Sequence, residues 1–153
     1  MLTVPDGWGF AGKVAVVTGG GAAGDGIGNG RAAAILLAKA GARVVVVDRA
    51  GDLAQRTVAM IEEMGGEAVA LEADVSKAGE CATMVEAALD RFGRLDFLDN
   101  NVGIGGCGSV VDVSEESWRH VMRVNVDTAR YITGHVLVVD GGTTLTAPER
   151  DSQ

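Results

Sequence analysis

Short apolar runs alternate with longer segments of helical periodicity along most of the chain. Residues 14–17 and 44–47 are unbroken β-branched runs, the pattern of strands covered on both faces. Between them, residues 30–40 are rich in Ala and Leu, which favour a helix, and Gly41 stands where the helix stop requires positive φ. Strand, helix and strand in this order predict a parallel crossover unit. Over residues 52–65, Leu53, Val58, Ile61 and Met64 recur on one helical face, and residues 68–73 predict a third strand. Ser76 is placed to cap a further helix, with Cys81, Met84, Val85, Ala88, Leu89 and Phe92 as its inner stripe. Residues 95–98 predict a fourth strand, leading into a loop over residues 100–108. A last helix, starting after Ser114, carries Trp118, Val121, Met122, Val126 and Ala129 inward, with Asn125 on the same stripe. Running to about Thr133, it is long enough to return the chain to a fifth strand at residues 135–139, parallel to the fourth. The expected fold is a single α/β domain over residues 1–153, with its core at 11–142. It is a doubly wound, Rossmann-type parallel sheet of about five strands in the order 3-2-1-4-5.

Composition narrows this picture. Hydrophobic residues make up 47% of the chain but aromatics only 4%, so the core must be built from Val, Ala, Leu, Ile and Met, as suits a parallel sheet under helices. A formal net charge of −8 argues against nucleic-acid or anionic-membrane partners, which require clustered cations. Cys81 and Cys107 form no Cys-x-x-Cys pair and have no His at metal-ligand spacing, so two reduced thiols and no metal are expected. No basic leader followed by a long apolar run is visible, nor any membrane-span-length apolar stretch. The expected location is cytoplasmic, and the segment after Asp140-Gly141-Gly142 reads as a polar, frayed tail.

The chemistry concentrates after the first strand. Glycine is dense between Gly19 and Gly30, and a glycine-rich turn between a strand and a helix offers free N–H groups and a helix dipole to a phosphate. Gly19, Gly21 and Gly24 satisfy Gly-x-Gly-x-x-Gly, whereas the Lys-bearing mononucleotide loop is absent. Asp48 ends the second strand, where a carboxylate accepts from a ribose 2′-OH and repels a 2′-phosphate. That favours NAD over NADP, with Arg49 beside it able to soften the repulsion.

The stretches "GKVAVVTGG", "DGIGNGRA", "DNNVG" and "RVNVD" together resemble the short-chain dehydrogenase/reductase family. The resemblance implies a phosphate-binding turn at Thr18, Gly19, Gly26, Ile27 and Gly28, in a loop a few residues longer than the family's common pattern. It also implies Asp74 and Val75 beside the adenine, Asn101, Val102 and Gly103 under the adenosine ribose, and Asn125 as the helix asparagine of a proton relay. The family's catalytic Ser and Tyr-x-x-x-Lys are missing. The single tyrosine is Tyr131, followed four positions later by His135, and the lysines are Lys13, Lys39 and Lys77. The join of "RVNVDTAR" to "YITGHVLVVDGG" reads as an internally truncated member that has lost a C-terminal block. Asp99 is a further departure, standing where the family has an apolar strand residue. The implied function is an NAD(H)-binding oxidoreductase, an alcohol or ketone dehydrogenase or reductase, impaired in catalysis. The alternative is a non-catalytic nucleotide-binding or partner-binding module, forming a homo-oligomer or associating with a full-length relative.

Overall fold

The computed structural model describes residues 9–23, 26–106, 108–109 and 111–129. They fall into two compact units, the first ending at Val102 and the second beginning at Gly103. The first contains β1 (Val14–Thr18), α1 (Asn29–Lys39), β2 (Arg43–Asp48), α2 (Gly51–Glu63), β3 (Ala68–Glu72), α3 (Ala78–Phe92) and β4 (Phe97–Asp99). The second contains α4 (Glu115–Asn125), followed by a 3-10 turn at Asp127–Ala129. The expected fifth strand at 135–139, Tyr131, Gly24, Cys107 and the polar tail lie outside the described residues.

The strands pair in parallel in the order β3-β2-β1-β4, the expected order for these four. Alternation along the valine runs divides the core in two. Val17, Val44 and Val46 face Ala34 and Ala38 of α1 and Ala54, Val58 and Ile61 of α2. Val14, Val16, Val45 and Val47 face Met84, Ala88 and Phe92 of α3. Because both faces are covered, the strands need no polar side, which is why the runs are continuous. Gly41, at φ +91°, ends the α1 segment as expected.

Several expectations need correction. Ser76 does not cap α3. The N-cap position is Lys77, without a side-chain cap, because the Ser76 hydroxyl donates to Asp74 Oδ1 at 2.7 Å instead. Val85 and Leu89 are exposed, so α3 buries a narrower stripe than its apolar positions suggest, and Met64 is likewise exposed at the end of α2. The fourth strand begins at Phe97 rather than residue 95. The reason is Asp96, whose carboxylate accepts the N–H of Val14 at 2.9 Å and the Arg94 Nε–H at 2.8 Å. With the Asp96 N–H, which donates to the Val14 carbonyl at 2.9 Å, these bonds fix the approach to the strand. The Arg94 guanidinium and the Val14 N–H bring the Asp96 carboxyl down to about 2.

In the second unit, Ser114 caps α4 as its position suggests, accepting the Ser117 N–H at 3.2 Å. The helix does not run to about Thr133. It ends at Asn125, where the Thr128 hydroxyl donates to the Val124 carbonyl at 2.9 Å and competes with helix continuation. Trp118 and Met122, expected inside, are exposed, and the buried residue of α4 is Val124.

Candidate functional site

The strand order reverses between β1 and β4, so their carboxyl ends define the crevice where open α/β sheets bind ligands. The loop leaving β1 divides into two parts. In the first, the N–H of Gly20 donates to the Val47 carbonyl at 3.0 Å and that of Gly21 to Asp48 Oδ2 at 2.9 Å. Both donors are spent on β2, and both glycines are buried. In the second part Gly26, Ile27 and Gly28 are exposed. Gly28 is the N-cap of α1, whose first turn carries no acidic residue. Among the described residues, no acceptor is bonded to the N–H of Ile27 or Gly28. The glycine pattern in the sequence leaves open which donors are free, and the geometry separates Gly20 and Gly21 from Ile27 and Gly28 on this point.

The floor of the loop is tied to β4. Asn101 Nδ2 donates to the carbonyls of Thr18 and Gly19 at 3.2 and 3.3 Å. The Thr18 hydroxyl accepts the Val102 N–H at 3.3 Å and lies 3.2 Å from both the Asp99 carbonyl and Asn100 Oδ1. Thr18, Asn101 and Val102 thus converge on one spot.

Asp48 is half-buried at the end of β2. Besides holding Gly21, it accepts the Ala50 N–H on Oδ1 at 3.0 Å. A carboxylate has about four acceptor positions, so capacity remains for a hydroxyl pair. Arg49 is exposed and acts on Asp74 rather than pairing with Asp48. The Asp74 carboxyl is held below the usual carboxylate range by the Ser76 hydroxyl first, then by the Ser76 N–H, Lys77 and Arg49. Val75 beside it is buried. Burial pushes the Cys81 thiol up.

The sequence reading passed over Gly30, Arg31 and Thr57. Gly30, in the first turn of α1, would bring a Cβ within 2.5 Å of Asn101 Nδ2, so only hydrogen fits there. Arg31 is completely buried. Its Nε–H donates to Thr57 Oγ1 at 3.0 Å, Nη1 to the Gly26 carbonyl at 2.6 Å and Nη2 to the Ala22 carbonyl at 3.4 Å. Thr57 in turn donates to the Gly20 carbonyl at 2.8 Å. The available signal was a lone arginine flanked by small residues at the head of an otherwise apolar helix.

Gly103 and Asn125 belong to the second unit. There the amide of Asn125 accepts the Ile104 N–H at 2.9 Å and donates to the Ile104 carbonyl at 3.0 Å. Among the described residues, no group of His, Cys, Asp or Glu could hold a metal ion, and no helix is long and apolar enough to cross a membrane.

Comparison with known proteins agrees with this architecture. A sequence profile for short chain dehydrogenases matches residues 13–139. An uncharacterised oxidoreductase of Thermotoga maritima is 42% identical over 117 residues, covering 76% of this chain and 44% of the relative. A cyclohexanol dehydrogenase of an Acinetobacter species is 40% identical over 123 residues, covering 80% of this chain and 47% of the relative. The crystal structure of a protein from Burkholderia xenovorans, described as a short-chain dehydrogenase/reductase, superposes with a TM-score of 0.76 at 37% identity, covering 79% of this chain and 48% of that one. The chain therefore spans about half the length of the relatives it matches.

Proposed function

The chain belongs to the short-chain dehydrogenase family, whose members are oxidoreductases using a nicotinamide dinucleotide, and on that premise we propose that its first unit binds NAD(H) in preference to NADP(H). The observation that carries this reading is the divided loop. The donors of Gly20 and Gly21 are engaged by β2, while those of Ile27 and Gly28, exposed residues ahead of α1, have no acceptor among the described residues. In this reading Gly26, Ile27 and Gly28 take the pyrophosphate at the positive end of α1. Gly19 and Thr18 shape the turn, and Asp48 takes the adenosine ribose hydroxyls beside Arg49. Asp74 and Val75 flank the adenine, and Asn101 and Val102 support the ribose.

Bound NAD supplies a hydride acceptor at its nicotinamide ring. The residues of this chain bind and orient it, but hydride transfer to a carbonyl also needs a proton donor, and from an alcohol a proton acceptor, the role the family gives to a tyrosine with a lysine lowering its pKa. This chain has one tyrosine, Tyr131, and its lysines all lie at or before Lys77, so no Tyr-x-x-x-Lys exists in it. We infer impaired turnover from an internally truncated chain. The absence of that pair equally favours the second reading, a cytoplasmic nucleotide-binding module that acts through a partner, either another copy or a full-length relative. In the catalytic reading Asn125 supports a proton relay through water. In the other it is the structural amide that its two bonds to Ile104 describe.

Calorimetric titration with NADH and NADPH, with circular dichroism to establish folding, tests the proposal. NADH is expected to bind more tightly, and a folded protein that binds neither refutes it. A panel of alcohols, ketones and aldehydes then separates the two readings. Turnover abolished by Asn125→Ala supports the catalytic one, and its absence supports the module.

A further inference from the structure

Arg31 is a fully buried cation with, among the described residues, no carboxylate paired to it. Burying a charge is costly unless hydrogen bonds replace its hydration, and here neutral oxygens do so: the carbonyls of Gly26 and Ala22 and the hydroxyl of Thr57. These acceptors come from different places. Ala22 and Gly26 stand on the two sides of the lengthened loop, and Thr57 lies on α2, from where it also bonds the Gly20 carbonyl. One planar guanidinium, with donors in a rigid fork, reaches all of them. A lysine ammonium is a point charge and could not span the two carbonyls.

We propose that Arg31 is the positioning residue of this loop: by joining the Ala22 and Gly26 carbonyls and bracing against Thr57, it fixes Gly26-Ile27-Gly28 in front of α1. Its ligand, the pyrophosphate of a dinucleotide, rests on the reading given above. The arrangement explains how a lengthened loop presents an ordered turn. The carbonyls of Ala22 and Gly26 meet at one buried group, and residues 26–28 lead from it into the helix. The charge of Arg31, in the first turn of α1, also adds to the positive end of the helix dipole.

The test compares the wild type with Arg31→Gln, Arg31→Lys and Thr57→Val in two measurements. The first, amide hydrogen exchange without ligand, reads the clamp alone. The bonded amides of Gly20, Gly21 and Ala32, the last held by the Gly28 carbonyl, are expected to lose protection in Arg31→Gln and Arg31→Lys, and less so in Thr57→Val. The second is titration with ADP, which carries the pyrophosphate, against adenosine, which does not. ADP affinity should fall by about tenfold in Arg31→Gln, the scale of one charge-assisted hydrogen bond, while adenosine stays within about twofold. Unchanged loop exchange in Arg31→Gln overturns the proposal, as does a wild-type loop in Arg31→Lys. An equal fall for ADP and adenosine also overturns it, because it marks a merely structural role. If Arg31→Gln does not fold, Thr57→Val is judged by the same criteria. A loop that loosens as expected in a protein whose wild type binds neither ADP nor NADH upholds the clamp and refutes the nucleotide reading.

Discussion

The carbonyl oxygen of Gly19 lies 2.1 Å from where a Cβ on Gly30 would stand. No side chain can occupy that space, so the first turn of α1 packs on the backbone of the preceding loop with hydrogen as the only spacer. Asn101 completes the contact by bonding the same carbonyl. The loop after β1, the head of α1 and the segment after β4 meet at this point.

Gly30→Ala is therefore expected to push α1 from the loop. Overpacking costs about 1–3 kcal/mol, so the melting temperature should fall and NADH affinity with it. An unaltered melting temperature would show that the contact relaxes freely.

Asp48 carries cofactor choice in the proposed reading. Asp48→Ala removes the repulsion of a 2′-phosphate together with the bond to the Gly21 N–H. The gap between NADH and NADPH should narrow, mainly through NADH binding weakened on the order of tenfold, since a hydrogen bond to a charged group is worth about 1.5–3 kcal/mol. Equal affinities in the unsubstituted protein would remove Asp48 from this role.

Asp99 sits half-buried among Phe10, Leu36, Leu37, Phe97 and Leu98, where loss of hydration raises its carboxyl above the ordinary 3.8. With the folded value raised, its contribution is most favourable below 3.8 and is lost as the pH rises through the raised value. Asp99→Asn should melt above the wild type at pH 7 and level with it near pH 3. The assignment fails if the difference between the two proteins is the same at both.

Asp96 behaves oppositely. Its folded value of about 2 places the stabilisation it contributes above the ordinary 3.8, to be lost as pH falls towards 2. Asp96→Asn should lower the melting temperature at pH 7 and make little difference at pH 2. A substitution that is neutral at pH 7 would show that the bonds to Val14 and Arg94 contribute nothing net.

These residues also show what the sequence could and could not convey. β1 and β2 were legible because strands covered on both faces become unbroken valine runs, and their order followed from the crossover helices. The stripes on α3 and α4 were read too wide. Apolar character at Leu89 or Trp118 says what a residue tolerates, whereas burial depends on how much surface the neighbouring element covers. The start of β4 falls two residues later than periodicity suggests, where the Asp96 side chain is tied to Val14 and Arg94, bonds that periodicity cannot register. Asp99 stands out in the sequence because the family it resembles has an apolar residue at that position. Arg31 was missed for the converse reason. An arginine at a helix start reads as solvated, and its three acceptors are two backbone carbonyls and a hydroxyl that leave no compositional trace.

The β4 strand joins β1 through three register pairs, whereas β1–β2 and β2–β3 have five each, and its contacts bridge more than eighty residues, as in the 82-residue separation of Val14 and Asp96. A short ladder with exposed side chains, at the edge of the sheet among the described residues, opens before the central strands do. When it opens, Asn101 leaves the carbonyls of Thr18 and Gly19, and the loop loses its floor. Part of any ligand's binding free energy is then spent on keeping this strand closed, so occupancy of the loop would slow solvent exchange at Phe97, Leu98 and Asp99.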